Sequence, residues 1–326
     1  MFQDYKKVVV SRTDRIGDVV LSLPVFATIK KCIPGITTYA LVSDYALDVA
    51  GSSPFIDGVV GCAPRESVFS MYKKLRAIDA DAIIVLFPRF RIALASILAG
   101  MPLRIGTAYR WYSFLFNCRV HEHRKESLKS EAEYNLSLVR PLGCTEDYLD
   151  VRLLVNEESS GYVQEFLDDN CLSRFAVVHP GSGGSAHDWS AENFRSVVKF
   201  VSENLGMDVI ITGTQNEQAI CRRVSEGISN AVNSAGRFSI LQLIALISKA
   251  RVFISNSTGP LHLAASVGTP VVGIYPNRNP MTPVRWAPIT LKKIILTPDD
   301  GSDEVSRVTI KRVCESVESI IARFPK

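Results

Sequence analysis

The sequence predicts an α/β protein of two domains, each built on a parallel, doubly wound sheet, and three observations carry that prediction. Short apolar runs rich in Val and Ile alternate with helically spaced segments along the whole chain, the pattern of strands buried on both faces. No Asn-Gly hairpin signal joins consecutive runs, so a helix rather than a tight turn returns each strand. The 326 residues also exceed what one ordinary core organises, and residues 144–160 read as a connection, giving domains 1–155 and 156–326.

The first half opens on a strand, Lys7 to Val10, followed by SRTDRIGDVVLSLP with a helix starting near Gly17. Asp18 therefore stands at a strand-to-helix turn, where a carboxylate either caps the helix or points into a cleft as a catalytic group. Pro24 lies inside the helical stretch and either kinks it or marks its true register. After Pro34-Gly35 come the strand TYALV, a helical stretch from Asp44, a short strand at Val59 and Val60, a helix from Ser67 to Arg76, and the strand DAIIVLF over 81–87.

Residues 88–150 differ in character. Ile92, Leu94, Ala95, Ile97 and Leu98 have helical spacing, LRIGT reads as a strand, and Arg110 precedes an aromatic block from Trp111 to Phe116. Such a block forms a lid over an acceptor, a shallow membrane contact, or core. Between Arg89 and Lys129 eight Lys or Arg stand against Glu122 and Glu126. His121 and His123 lack a third ligand and give no metal set. Glu131 to Leu142 reads as a helix ended by Gly143.

The second half repeats the same logic. Strand FAVVHP leads through GSGGSAHDWSAENF to a helix capped by Ser190, then to strand DVIIT, the loop GTQNEQ and a helix. A short strand at Ala231 and Val232 precedes a helix from Ser239, whose spacing to Gln242 is that of a capping box. Gly181-x-Gly183-x-x-Ala186 has dinucleotide-fingerprint spacing, but Trp189-Ser190 intervene before the helical pattern and no acid ends the next strand, so nicotinamide or flavin binding is not expected.

The densest signal is RVFISNSTGPLHLAASVGTPVVGIYP, from Arg251 to Pro276. Two buried strands flank one short helix, with Asn256, Ser257 and Thr258 offering capping oxygens, Gly259 and Pro260 opening the helix and Gly268 closing it. A helix that starts directly after a strand presents free N–H groups and about half a positive charge at the sheet's carboxyl edge, an arrangement suited to anions. A plain capped helix start is the other reading.

Composition removes several classes. At 47% hydrophobic and 21% charged residues the chain is globular, and a net charge of +4 is too mild for a nucleic-acid partner. Seven scattered cysteines without a C-x-x-C pair predict free thiols in a reducing cytoplasm, not a disulfide framework or a zinc site. No apolar signal region opens the sequence, and Arg89 and Arg91 interrupt the most apolar central stretch, so no transmembrane anchor is expected. Neither a P-loop, a G-x-S-x-G elbow nor a kinase set is present.

Four motifs, RIGDVVLSLP (15–24), HPGSGGSAHDWSAENF (179–194), GTQNE (213–217) and NSTGPLHLAA (256–265), together resemble the heptosyltransferases of lipopolysaccharide core assembly, glycosyltransferase family nine. The resemblance covers essentially the whole chain. It implies a GT-B type fold, two Rossmann-like domains with parallel sheets facing across a cleft, the acceptor on the first and ADP-heptose or a similar nucleotide sugar on the second. It further implies inversion at the anomeric carbon, no cofactor and no metal. Asp18 matches the proposed general base. Ser182, His187, Glu217, Phe238, Ser257, Thr258, Gly259 and His262 fall on the donor side: Glu217 on the ribose, Phe238 on adenine, and Thr258, Gly259 and His262 on the diphosphate.

An anionic glycolipid acceptor offers carboxylates and phosphates that Arg89, Arg91 and Arg110 would hold in bidentate fashion, with Arg104 and Arg124 as further candidates. The implied setting is the cytoplasm, with peripheral contact at the inner membrane. The last helix, KRVCESVESIIARF, is expected at the domain junction. Two positions depart from the family pattern: His187 stands where many members have Lys, and Ser257 where many have Asp. The alternatives on the same scaffold are a nucleotide-sugar epimerase, which needs an acid and a base around the donor sugar, and a non-catalytic nucleotide-sugar-binding protein, which would tolerate loss of Asp18.

Overall fold

The computed structural model describes residues 5–183 and 189–325, and the chain divides into two compact units after Leu153. In the first unit the elements run β1 (Lys7–Arg12), α1 (Ile16–Val20), α2 (Leu23–Cys32), β2 (Thr37–Ser43), α3 (Leu47–Gly51), β3 (Gly58–Cys62), α4 (Val68–Ile78), β4 (Ala82–Val85), α5 (Phe90–Leu98), β5 (Leu103–Thr107), β6 (Cys118–Val120) and α6 (Glu131–Leu136). The sheet order is β3-β2-β1-β4-β5-β6, every pair parallel. Central β1 sets Val8 between Thr38 and Ala82, and Val8, Val9 and Val10 are fully buried, as a strand covered on both faces requires. Helix starts follow local chemistry: Ser67 accepts from the Ser70 N–H, and Ser130 and Glu133 form a reciprocal capping box.

Several expectations are corrected here. The helix beginning near Asp18 is only five residues long, and Pro24 opens the separate helix α2 where no N–H is needed, so it marks a break rather than a kink. The helix expected over 131–142 is α-helical only to Leu136; Ser137–Leu142 tightens into a 3-10 turn that accommodates Pro141, before Gly143 adopts φ +88°. The aromatic block splits between two readings. Tyr112, Leu115 and Phe116 join the core, whereas Trp111 and Phe114 are 75% and 68% exposed. Cys32 and Cys144, expected as free thiols, form a disulfide across 112 residues that ties the end of α2 to the segment after Gly143.

The second unit comprises α7 (Glu157–Asp169), β7 (Phe175–His179), α8 (Ala191–Glu203), β8 (Asp208–Ile211), α9 (Gln218–Ser225), β9 (Ala231–Asn233), α10 (Ile240–Lys249), β10 (Phe253–Asn256), α11 (Gly259–Ser266), β11 (Val271–Ile274), α12 (Pro283–Trp286), β12 (Lys293–Leu296) and α13 (Ile310–Arg323). Its sheet, β12-β11-β10-β7-β8-β9, is again parallel throughout, and counted from β7 it has the strand order of the first. Ser190 and Ser239 cap α8 and α10 as their sequence positions imply. Val313, Val317 and Ile320 on the amphipathic α13 enter the core formed by Trp189, Phe194 and the strands, against α8, β11 and β12. Among the described residues, no helix is long and apolar enough to cross a membrane. The two units together are a GT-B type α/β fold.

The disulfide makes a direct prediction. Titrating the chain unfolded without reductant should find five thiols, and reduction before unfolding should raise the number to seven. Closing so long a loop also removes unfolded-chain entropy worth on the order of 4 kcal/mol, so the reduced protein should unfold at lower denaturant.

Candidate active site

In a doubly wound sheet, ligands bind beyond the carboxyl ends of the strands where the strand order reverses. That point lies between β1 and β4 in the first unit and between β7 and β10 in the second. The loops leaving these four strands carry Asp14 and Asp18, Phe87 and Arg89, Gly181 to Gly183, and Ser257 to Gly259. Most of the residues singled out in the sequence thus fall at the two places where topology itself leaves a crevice.

At the first, the organising group is one the sequence reading did not single out. Arg12, at the end of β1 and only 3% exposed, donates through Nε to Asp14 (2.7 Å), through Nη1 to Glu131 (2.7 Å) and Asn135 (3.1 Å), and through Nη2 to Asp18. Glu131 also takes Nη1 of Arg124 at 2.6 Å. Burial alone would lower the Arg12 pKa, but Asp14, Asp18 and Glu131 around it raise it, so it stays charged. Burial pushes the Asp14 carboxyl up to about 6 against the pull of Arg12, with Asp18 adding repulsion. Asp18 is the third residue of α1, and the hydrogen bond its side chain makes among the described residues is to Arg12 rather than to a helix-start N–H.

At the second, an uncharged side chain joins the loops. Buried Asn256 donates through Nδ2 to the Pro180 carbonyl (2.9 Å) and accepts at Oδ1 from the Trp189 N–H (3.1 Å), tying the end of β10 to both sides of the loop after β7. Thr258 occupies the N-cap of α11, but its hydroxyl lies 3.3 Å from Ser255 Oγ and no side chain caps the helix. The expected cap is therefore absent, and among the described residues no side chain takes the first-turn N–H groups, which suits them to a ligand or solvent. Gly259 is the first residue of α11, and Ser257 bonds the buried Tyr275 hydroxyl, which donates to the Trp286 carbonyl.

Glu217 forms a second clasp. One carboxylate oxygen accepts from the Thr214 N–H (2.8 Å) and hydroxyl (2.9 Å), the other from the Gly183 N–H (3.2 Å). Gly181 is a close approach: a Cβ there would overlap this carboxylate and force it to shift from its place. Burial pushes the Glu217 carboxyl up, but the Thr214 N–H, His179 and the remaining donors hold it below its ordinary value. His179, buried at the end of β7, places Nδ1 3.0 Å from the Thr212 hydroxyl, and burial lowers its pKa.

His262, the fourth residue of α11, is buried with Nδ1 unpartnered among the described residues; burial, then the Lys293 cation, push its pKa down to about 4. Ser182 is buried in the loop after β7, and half-buried Phe238 meets Phe166 and Tyr162 edge-on. His187 lies outside the described residues.

The arginines separate by role. Arg89 is exposed over the Phe87 ring (4.4 Å), Arg110 is exposed, and Arg91 donates to the Glu66 carbonyl. Arg104 and Arg124 are engaged within the fold: Arg104 with the Met101 and Leu115 carbonyls, Arg124 with Glu131 and the Tyr134 carbonyl.

Residues 68–312 match the sequence profile of glycosyltransferase family 9 (heptosyltransferase). The chain belongs to that family. It is 26% identical over 280 residues to lipopolysaccharide heptosyltransferase 3 of Escherichia coli K12, covering 79% of each chain. Among solved structures it is similar to a family 9 glycosyl transferase from Veillonella parvula (TM-score 0.88, 21% identity, 99% of each chain). It is also similar to the E. coli ADP-heptose lipopolysaccharide heptosyltransferase II (TM-score 0.81, 20% identity, 98% of this chain and 99% of that one). These structural likenesses give the fold. As a family 9 glycosyltransferase, the chain has Glu217, Thr258, Gly259 and His262 inside the matched span, while Asp18 lies before it.

His262 sets a pH dependence. Its folded pKa, about 4, lies below the ordinary 6.5, so its stabilising contribution is complete above 6.5 and is lost as pH falls through that window, where only the unfolded chain takes up the proton. Denaturant titrations should show the unliganded wild type losing about 3 kcal/mol more than His262→Leu between pH 7 and 4. His179 shifts in the same direction but is common to both proteins and cancels.

Proposed function

We propose that this glycosyltransferase is a metal-independent, inverting enzyme that moves heptose from ADP-heptose onto a lipopolysaccharide core acceptor. The observation that carries the reading is the start of α11: a strand at the reversal of the sheet order runs into a helix whose N-cap side chain makes no capping bond, with buried His262 beside it and its Nδ1 unpartnered among the described residues. Such N–H groups suit a diphosphate, because they are oriented before the charge arrives. The names of the E. coli relatives, an ADP-heptose and a lipopolysaccharide heptosyltransferase, support the donor and the acceptor class.

In this reading Asp18 takes the proton of the acceptor hydroxyl as its oxygen bonds the anomeric carbon. The bond to the diphosphate breaks with its electron pair leaving on ADP, and the N–H groups of α11 hold the charge. Attack opposite the leaving group inverts the centre. Glu217 serves the ribose with lone pairs not taken by Thr214 and Gly183, Phe238 offers a ring to adenine, and Ser182, Ser257 and His187 complete the donor side. Arg89, Arg91 and Arg110 serve the anionic acceptor. Asp18→Asn should leave ADP affinity by calorimetry within about twofold of wild type while lowering kcat at least about a hundredfold. Loss of ADP binding in Asp18→Asn would overturn the assignment.

We further infer a cytoplasmic enzyme in peripheral contact with the inner membrane. Phe69, Trp111 and Phe114 are the supporting feature, exposed aromatics in the unit that also exposes Arg89, Arg91 and Arg110; the Trp111 ring is stacked on Phe90 at 5.1 Å. Wild-type protein should sediment with phosphatidylglycerol-containing vesicles, and a Trp111→Ser, Phe114→Ser double variant should lose most of that binding without losing ADP affinity. Equal sedimentation of the two proteins would refute the contact.

A further inference from the structure

We propose that Arg12 is the positioning residue for the Asp18 carboxylate, and that Glu131 fixes Arg12 for this task. The inference rests on the reading of Asp18 as base and goes on to say what orients it. Asp18 has one hydrogen-bond partner among the described residues, Nη2 of Arg12, which engages Oδ1. Among the described residues Oδ2 meets no hydrogen-bond donor, and the side chain is 14% exposed, so one oxygen is held and the other is left to receive a proton.

The guanidinium is itself pinned. Four of its five N–H donors are used, on Asp14, Asp18, Glu131 and Asn135. Glu131 and Asn135 lie on one helix about 120 residues further along the chain, and Asn135 donates onward to the Leu21 carbonyl at 3.2 Å. The ring of Phe87, after β4, lies 5.9 Å from the guanidinium, and Tyr45 donates to the Asp14 carbonyl. A rigid fork held on three sides permits one placement of Asp18.

The charge count points the same way. Arg12 and Arg124 supply two positive charges against Asp14, Asp18 and Glu131, so the cluster with all three carboxylates ionised carries one net negative charge, which one arriving proton neutralises. Proton arrival therefore relieves a charge imbalance in a poorly solvated site. A purely structural ion cluster has no need of an unoccupied oxygen on one of its carboxylates.

The test uses the full-length enzyme with ADP-heptose and a lipopolysaccharide core acceptor. Arg12→Gln should lower kcat about a hundredfold, the scale of a misplaced catalytic group, with the donor KM within about threefold. Losing a cation disfavours the ionised form of a carboxylate beside it, so the acid limb of the kcat/KM profile should move to higher pH. Arg12→Lys should return the acid limb toward wild type without restoring kcat, because an ammonium carries the charge but not the fork. Glu131→Gln keeps the side chain's shape and should lower kcat about tenfold. If Arg12→Gln does not fold, Arg12→Lys and Glu131→Gln decide. Wild-type kcat in a folded Arg12→Lys or Glu131→Gln protein, or an unmoved acid limb in folded Arg12→Gln, overturns the inference. Wild-type transfer by Asp18→Asn would instead remove the base reading itself.

Discussion

A parallel strand buried on both faces cannot turn back on its neighbour through a hairpin; it must cross over through a helix, and this constraint governs everything else in the molecule. Each crossover begins at the carboxyl end of a strand, so all strand-to-helix loops gather at one edge of their sheet. Where the winding starts in the middle and proceeds outward both ways, the two central loops diverge and leave an opening. Both units wind this way, from β1 and from β7. The central strands are therefore the apolar ones, and the residues just past their ends are free of packing duty.

The two openings are lined by opposite chemistry, and burial explains why. The first holds fixed charges, and a buried charge persists only when paired, so Asp18 comes with Arg12, and Arg12 with Asp14 and Glu131. The second is built largely from amide and hydroxyl groups, with Asn256 bonding the two loops and the α11 N–H groups left uncapped. A ligand that brings its own negative charge needs oriented dipoles rather than paired ions, which would already have satisfied one another. His262, buried and depressed to about 4, adds no charge of its own to this lining.

What could be read from the sequence was what local chemistry decides. Val8 to Val10, Phe253 and Ile254 announce buried strands; Ser190, Ser239 and Gly268 announce helix ends, and the structure places them there. Asp18 and Thr258 were visible as strand-to-helix positions, though the reading of Thr258 as a cap fails because its hydroxyl turns to Ser255, and the Asp18 carboxylate, open to two readings, turns to Arg12. What was not readable depends on distance along the chain. Arg12 meets Glu131 across 119 residues and Cys32 meets Cys144 across 112, and nothing in either local pattern names its partner. The signal that was available for Arg12 is a charged residue inside a strand otherwise buried end to end, a placement tolerated only with a partner. The split of the aromatic block, with Tyr112 in and Trp111 out, follows from a 3-10 turn at Ser113–Leu115 that the spacing did not reveal.

The departure at position 257 acquires a physical meaning from its surroundings. Where the family pattern named by the resemblance has Asp, Ser257 bonds the hydroxyl of Tyr275, a side chain fully buried whose own proton goes to the Trp286 carbonyl. A carboxylate at that position would be half-buried beside a hydroxyl already committed as a donor, and would lack a partner for its charge. Serine meets the same hydroxyl as a donor and leaves no charge behind.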